Sequence, residues 1–242
     1  MSFRMLEGKK IPIVTIGTSP FMGAGQFGPK GLLWRQKFAN NPENVLELLI
    51  ATAEKGGMGI ELVPIGRVAE AIKPVRDKFP EFTVLGSTYW FKPYRIEELN
   101  DYGAEIIFIH GAIADRRKEE KLKMIIQTIR EFNRIPGIAT HEPTKTIPFI
   151  EKSDLDCPAI LVPFNKLGLF MEDQQLLESI VDNSGKFFVG MKTLAAGRLN
   201  PKEAYEYIKE HNISAVAIGM VTTQEVEESV PLALENLSTK SK

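Results

Sequence analysis

The sequence has only one cysteine, Cys157, among its 242 residues. No internal disulfide can form, and the thiolate set that holds an iron–sulfur cluster is missing. A single cysteine fits a reducing compartment, and a cytoplasmic protein is the expectation. Long apolar runs are also lacking. None approaches the roughly 20 residues of a membrane span, and the opening MSFRMLEGKKIP contains no apolar segment of signal-peptide length. No membrane partner is expected. Nor is there an excess of one charge: 30 Lys and Arg face 31 Asp and Glu, for a formal net charge of −1. The charges are interspersed and form no basic stripe, so nucleic acid is not an expected partner and a small-molecule ligand is. Finally, no G-x-G-x-x-G turn runs from a strand into a helix. The glycines of GTSPFMGAGQFG are closely spaced but wrongly arranged for it, which weighs against an open doubly wound sheet.

What is present is a recurring module. The hydrophobic content of 43% in a chain of this length is enough to bury about three quarters of the unfolded surface in one core, so one domain is expected. Residues 186–220 display the module in full. Lys186–Met191 reads as a strand, Pro201–His211 as a helix with proline in its first turn, and Ala215–Met220 as a second strand. Strands joined by one crossover helix run parallel, with a right-handed connection. Lys192, Arg198, Gly219 and Met220 are thereby brought to the carboxyl ends of the strands, where parallel sheets place their ligands.

In chain order, Ser2–Gly8 reads as an extended entry or small hairpin turning at Gly8-Lys9-Lys10, and the first strand as Ile11–Gly17. Residues Thr18 to Asn41 are rich in Gly and Pro. They read as a long loop with no helix before Pro42-Glu43, suited to a lid or binding loop or simply covering one end of the fold. Glu43–Lys55 then forms a helix. Further strands fall at Gly59–Val63, Thr83–Thr88, Glu105–His110, Gly137–His141 and Ala159–Phe164. The helices between them are Arg67–Lys78, Arg95–Tyr102, Asp115–Arg134, Thr144–Lys152 and Glu172–Asp182, and Thr223–Leu237 closes the series behind Thr222 or Thr223 as cap. Eight strand–helix units predict an α/β fold, a single (β/α)8 TIM barrel with a short extended or hairpin segment at its amino terminus.

Several residue groups then carry chemistry. His110, His141, Glu61 and Glu142 combine imidazole and carboxylate, as a divalent metal requires, but no H-x-H pair fixes a site and no metal ligand is assigned. Lys192 suits a Schiff base if desolvated; pairing with Glu61 or another carboxylate is the plainer alternative. Gly197-Arg198, Gly219 and the Thr222-Thr223 helix start suit an anion, although helix capping alone accounts for the threonines. Tyr89 with nearby Lys92 could act as a general acid, or the aromatic run could be a packed wall.

The sequence also resembles the aldo-keto reductases, in order over most of its length. The opening FRMLEGKKIPIVTIGTSPFMGAGQFG is similar to that family's floor hairpin and first strand. AEIIFIHG, GIATHEP and DCPAILVPFN resemble its fourth to sixth strands, and VGMKTLAAGRL followed by VAIGM resembles its last two. The resemblance implies a barrel oxidoreductase that reduces a carbonyl compound with NADP or NAD. It places the family's histidine on His110 and its aspartate on Glu61. It also implies cofactor contacts at Thr140, His141, Asn165, Gly197, Arg198, Gly219, Thr222 and Thr223. The match departs where the family's tyrosine should stand, because VPIGRV contains none; the family's lysine falls near Ser87 or Thr88, and its strand-six glutamine on Leu161. Three readings follow: a divergent oxidoreductase with His110, Glu61, Tyr89 and Lys192 as catalytic candidates, a non-redox barrel enzyme using a metal or Schiff base, and a ligand-binding barrel without turnover.

Overall fold

The computed structural model describes residues 2–238. The chain opens with an antiparallel hairpin of β1 (Phe3–Leu6) and β2 (Lys9–Pro12). Its two-residue turn places Glu7 and Gly8 at φ 48° and 78°, the left-handed pair that a twisted hairpin needs. Eight parallel strands then close into a barrel: β3 (Val14–Gly17), β4 (Gly59–Leu62), β5 (Thr83–Ser87), β6 (Ala104–Ile109), β7 (Ile135–Ala139), β8 (Ala159–Pro163), β9 (Phe187–Met191) and β10 (Ala215–Ile218). Each strand pairs with its sequence neighbour, and β10 pairs with β3 to seal the ring. The predicted (β/α)8 barrel and its amino-terminal hairpin are both present.

Side chains alternate between the two sides of each strand, and two cores result. Inside the ring, Leu85, Ile106, Phe108, Leu161, Val189 and Ala217 pack together, and Ile11 and Leu6 of the hairpin join them. The hairpin therefore plugs the amino-terminal end, which leaves the carboxyl end as the open mouth. Gly137 has a packing reason: a Cβ there would run into the Phe108 ring. The outer core lies between strands and helices, where Leu122, Ile125, Ile126 and Ile129 form one stripe.

The helices are α1 (Pro29–Phe38), α2 (Pro42–Glu54), α3 (Ile72–Lys78), α4 (Ile96–Asp101), α5 (Gly111–Ala114), α6 (Glu119–Glu131), α7 (Pro143–Lys152), α8 (Gln174–Asn183), α9 (Pro201–Lys209) and α10 (Thr223–Ser238). Two depart from the sequence reading. The segment expected to be a helix-free loop contains α1. Proline at its first position and Gly28 just before it, at φ 56°, start the helix, and the Gly and Pro content of the wider segment masked that signal. Phe38 at its end is fully buried, with its ring 4.6 Å from that of Phe21. The helix expected over Asp115–Arg134 starts only at Glu119, as α6, because Arg117 turns the chain at φ 49°, and the short α5 stands before it where no helix is expected.

Candidate active site at the barrel mouth

Two cavities open at the carboxyl ends of the strands. One, of about 510 Å³, lies over the centre of the ring and is lined by Glu61, Ser87, His110, His141, Phe170 and Lys192, among others. The second, of about 230 Å³, runs beside it under the first loop and α1, against Gly17, Trp34, Gly197, Gly219, Glu225 and Glu228. Ser19, Gln26, Glu61, Met191 and Lys192 line both and form the boundary.

Glu61, near the end of β4, is 5% exposed. Burial pushes its carboxyl up to about 7, only partly offset by the Ser87 hydroxyl, which donates to Oε1 at 2.6 Å. Near neutral pH this group exchanges a proton readily, as a general acid or base must.

His110 follows β6 and caps α5. Its backbone N–H donates to Thr88 Oγ1 at 3.0 Å, and its Nδ1 accepts from Ala112 N at 3.1 Å. A ring nitrogen that accepts carries no hydrogen, so this bond assigns the neutral tautomer with its proton on Nε2. Burial, with the neighbouring His141, holds the imidazole down to about 4. His110 is thus a fixed, uncharged hydrogen-bond donor lining the central cavity. His141 is also lowered, by burial and by the Lys192 charge. Its backbone is held by Asp115, whose Oδ2 accepts from His141 N at 2.8 Å, while Oδ1 accepts from the hydroxyls of Thr140 and Thr146 at 2.5 and 2.9 Å.

Lys192 follows β9 with its backbone in the left-handed region at φ 57°. Its Nζ lies 4.5 Å from the centroid of the Phe170 ring. Among the described residues no carboxylate pairs with it, so the pairing with Glu61 considered from the sequence is not formed. Desolvation lowers the amine to about 8.

The remaining candidates are dispersed or already engaged. Tyr89 lines neither cavity; it stacks on Trp90 at 4.3 Å and carries the Arg95 guanidinium 4.7 Å from its centroid. Lys92 lines a separate groove with Tyr94 and Lys121. Thr140 is spent on Asp115, and Asn165 on its own loop, donating to Leu169 O and accepting from Leu167 N and Leu169 N. Gly197 and Gly219 do line the side cleft, whereas Arg198 is exposed outside it. Thr222 caps α10, accepting from Glu225 N at 3.2 Å, and Glu225 reaches back to accept from Val221 N at 2.6 Å. Thr223 faces outward toward Leu46 and Glu47. Glu142 pairs with Arg117 at 2.9 Å, and no group of three or more metal-binding side chains occurs among the described residues. Phe170 and the Glu225–Glu228 pair escaped the sequence reading, which gave Ser87 only as a position near which the family's lysine falls and not as the partner of Glu61. Ser87 could have been found from its place at a strand end, opposite Glu61.

Comparison with family models and with curated proteins finds no match. Solved structures do match. A protein assigned as an aldo-keto reductase from Pseudomonas aeruginosa aligns over 97% of this chain and 95% of its own, with a TM-score of 0.70 at 15% identity. A thermostable aldo-keto reductase in complex with the inhibitor epalrestat aligns over 100% and 96%, with a TM-score of 0.67 at 17% identity. The Bombyx mori aldo-keto reductase in complex with NADP aligns over 98% and 90%, with a TM-score of 0.63 at 14% identity. The chain has the aldo-keto reductase-like barrel fold.

Proposed function

We propose that the barrel mouth is the active site of a divergent, aldo-keto reductase-like oxidoreductase. A small uncharged aldehyde or ketone would occupy the central cavity, and a nicotinamide dinucleotide would extend into the side cleft. The observation that carries this reading is His110: a neutral imidazole locked as an Nε2–H donor, in the same cavity as a carboxyl that titrates near 7. A carbonyl oxygen that gains negative charge during reduction needs such a pair.

The cleft has features that fit the cofactor. Gly197, where a Cβ would meet nothing within 4 Å, allows close approach to the backbone, and Phe27 and Trp34 present flat rings. Glu225 and Glu228 at the same cleft suit ribose hydroxyls better than a further phosphate, which favours NAD over NADP. The bound nicotinamide would supply the hydride. His110 Nε2–H would orient and polarise the carbonyl, and the Glu61 carboxyl would give up its proton to the developing alkoxide, the task of the tyrosine that VPIGRV lacks. Ser87 would steady the carboxylate left behind.

Trp34 lines the cleft and reports on it. Titration with NADH is expected to quench its fluorescence to saturation, more tightly than NADPH does, and the Trp34→Phe variant should lose most of that signal. No quenching by either nucleotide would remove the cofactor from the reading.

A further inference from the structure

The boundary between the two cavities holds a group that the hydride mechanism leaves idle. Lys192 lines both cavities, and its ammonium has no carboxylate partner among the described residues. Its ammonium lies over the face of Phe170 at 4.5 Å, and its charge reaches His141. Both residues are held in the left-handed region, Lys192 at φ 57° and Phe170 at φ 67°. Side chains other than glycine resist that conformation, and such backbone strain concentrates at ligand sites. The result is an amine presented to a cavity and held in no ion pair among the described residues. Surface lysines such as Lys73 and Lys78 instead pair with acids at 2.8 and 2.6 Å.

We infer that Lys192 is an imine-forming residue that captures a small uncharged aldehyde or ketone covalently in the central cavity, an activity that needs no nicotinamide. The ligand class follows from the lining. Among the described residues no arginine and no second lysine lines this cavity, so a phosphorylated or carboxylated carbonyl compound would find no cation besides the reacting amine. The neutral amine of Lys192 attacks the carbonyl carbon; a C–N bond forms, and one nitrogen proton passes to the oxygen to give a carbinolamine. The C–O bond then breaks, the hydroxyl leaves as water with the proton of the Glu61 carboxyl, and a protonated imine and a Glu61 carboxylate remain. No electron is gained or lost, and hydrolysis reverses every step. Desolvation supports the first step: an amine lowered to about 8 has a neutral fraction at pH 7 about 300-fold larger than that of a lysine at 10.5. The carboxylate formed near the imine cation would then be positioned to take a proton from the adjacent carbon, the reaction of lyases and isomerases that work through lysine.

The test uses the full chain at pH 7 with propionaldehyde and sodium borohydride, which reduces an imine to a stable secondary amine. Peptide mapping by mass spectrometry is expected to find one propyl group on Lys192, labelled at least 30-fold faster than any surface lysine, and none at position 192 in Lys192→Met. Should Lys192→Met fail to fold, the map of the unaltered protein decides by itself. Labelling of Lys192 no faster than of Lys73 or Lys78 would overturn the inference. The nucleotide titration of Trp34 is independent, so loss of one result leaves the other standing.

Discussion

At the residue scale, three side chains set the chemistry of the mouth, and each owes its state to burial. Glu61 is raised and Lys192 and His110 are lowered because the wall of strand ends removes water from all three. Glu61 and His110 could be singled out from the sequence by their places at strand ends. Their protonation could not, since it depends on Ser87, Ala112 and His141, which the fold brings from other segments or turns toward them. Tyr89 illustrates the opposite outcome. Its place past a strand end looked suitable, but its ring is taken up by Trp90 and Arg95. Replacing Glu61 with Gln removes the proton donor and keeps the shape. Carbonyl reduction at pH 6 is expected to fall by about 10²-fold or more, and the fall of activity with an apparent pKa near 7 should disappear from the pH profile. An unchanged profile would assign the acid elsewhere.

At the element scale, α1 and α5 do the positioning. α1 carries Trp34 to the side cleft and is anchored by Phe38, 0% exposed. Truncating a buried aromatic costs about 3–5 kcal/mol. Phe38→Ala should therefore lower thermal stability and, in the folded fraction, weaken NADH quenching of Trp34; calorimetry with the same fluorescence titration would show both. Asp115, just after α5, holds Thr140, Thr146 and the backbone of His141. Asp115→Ala is expected to leave propionaldehyde labelling of Lys192 in place while raising KM for the carbonyl substrate more than it lowers kcat, because it acts through His141 and touches no reacting atom. Both elements escaped full recognition for local reasons. Glycines and prolines around Pro29 hid a real helix start, and α5, four residues long, is too short to show a helical period.

At the scale of the whole molecule, the buried titratable groups make opposite contributions to the pH dependence of stability. The Glu61 pKa rises from 4.5 unfolded to about 7 folded. Between those values the native state holds the extra proton, so stability falls as pH rises, by up to about 3 kcal/mol above pH 7. The His110 pKa falls from 6.5 to about 4. The unfolded state holds that extra proton, so stability rises with pH over that window by a similar amount, about 3 kcal/mol. The two slopes oppose each other between about pH 4.5 and 6.5. In Glu61→Gln the rising slopes of His110 and of His141, which burial also lowers, act unopposed. Denaturant unfolding should show that variant gaining stability from pH 4.5 to 6.5 more steeply than the unaltered protein; parallel curves would contradict the burial of Glu61.

The sequence by itself determined the strand–helix alternation, and with it the ring. Eight parallel modules with right-handed crossovers and a plugging hairpin leave one open end, and His110, Lys192, Gly197 and Gly219 stand at the strand ends that face it. Only the tertiary structure decided which of those residues face a ligand. Arg198 turns to solvent, Thr140 and Asn165 spend their polar atoms on neighbouring loops, and Lys192 forms no ion pair among the described residues. The physical reason is that periodicity is encoded within a segment. Burial, hydrogen-bond satisfaction and charge pairing are set between segments, and they exist only once the ring has closed.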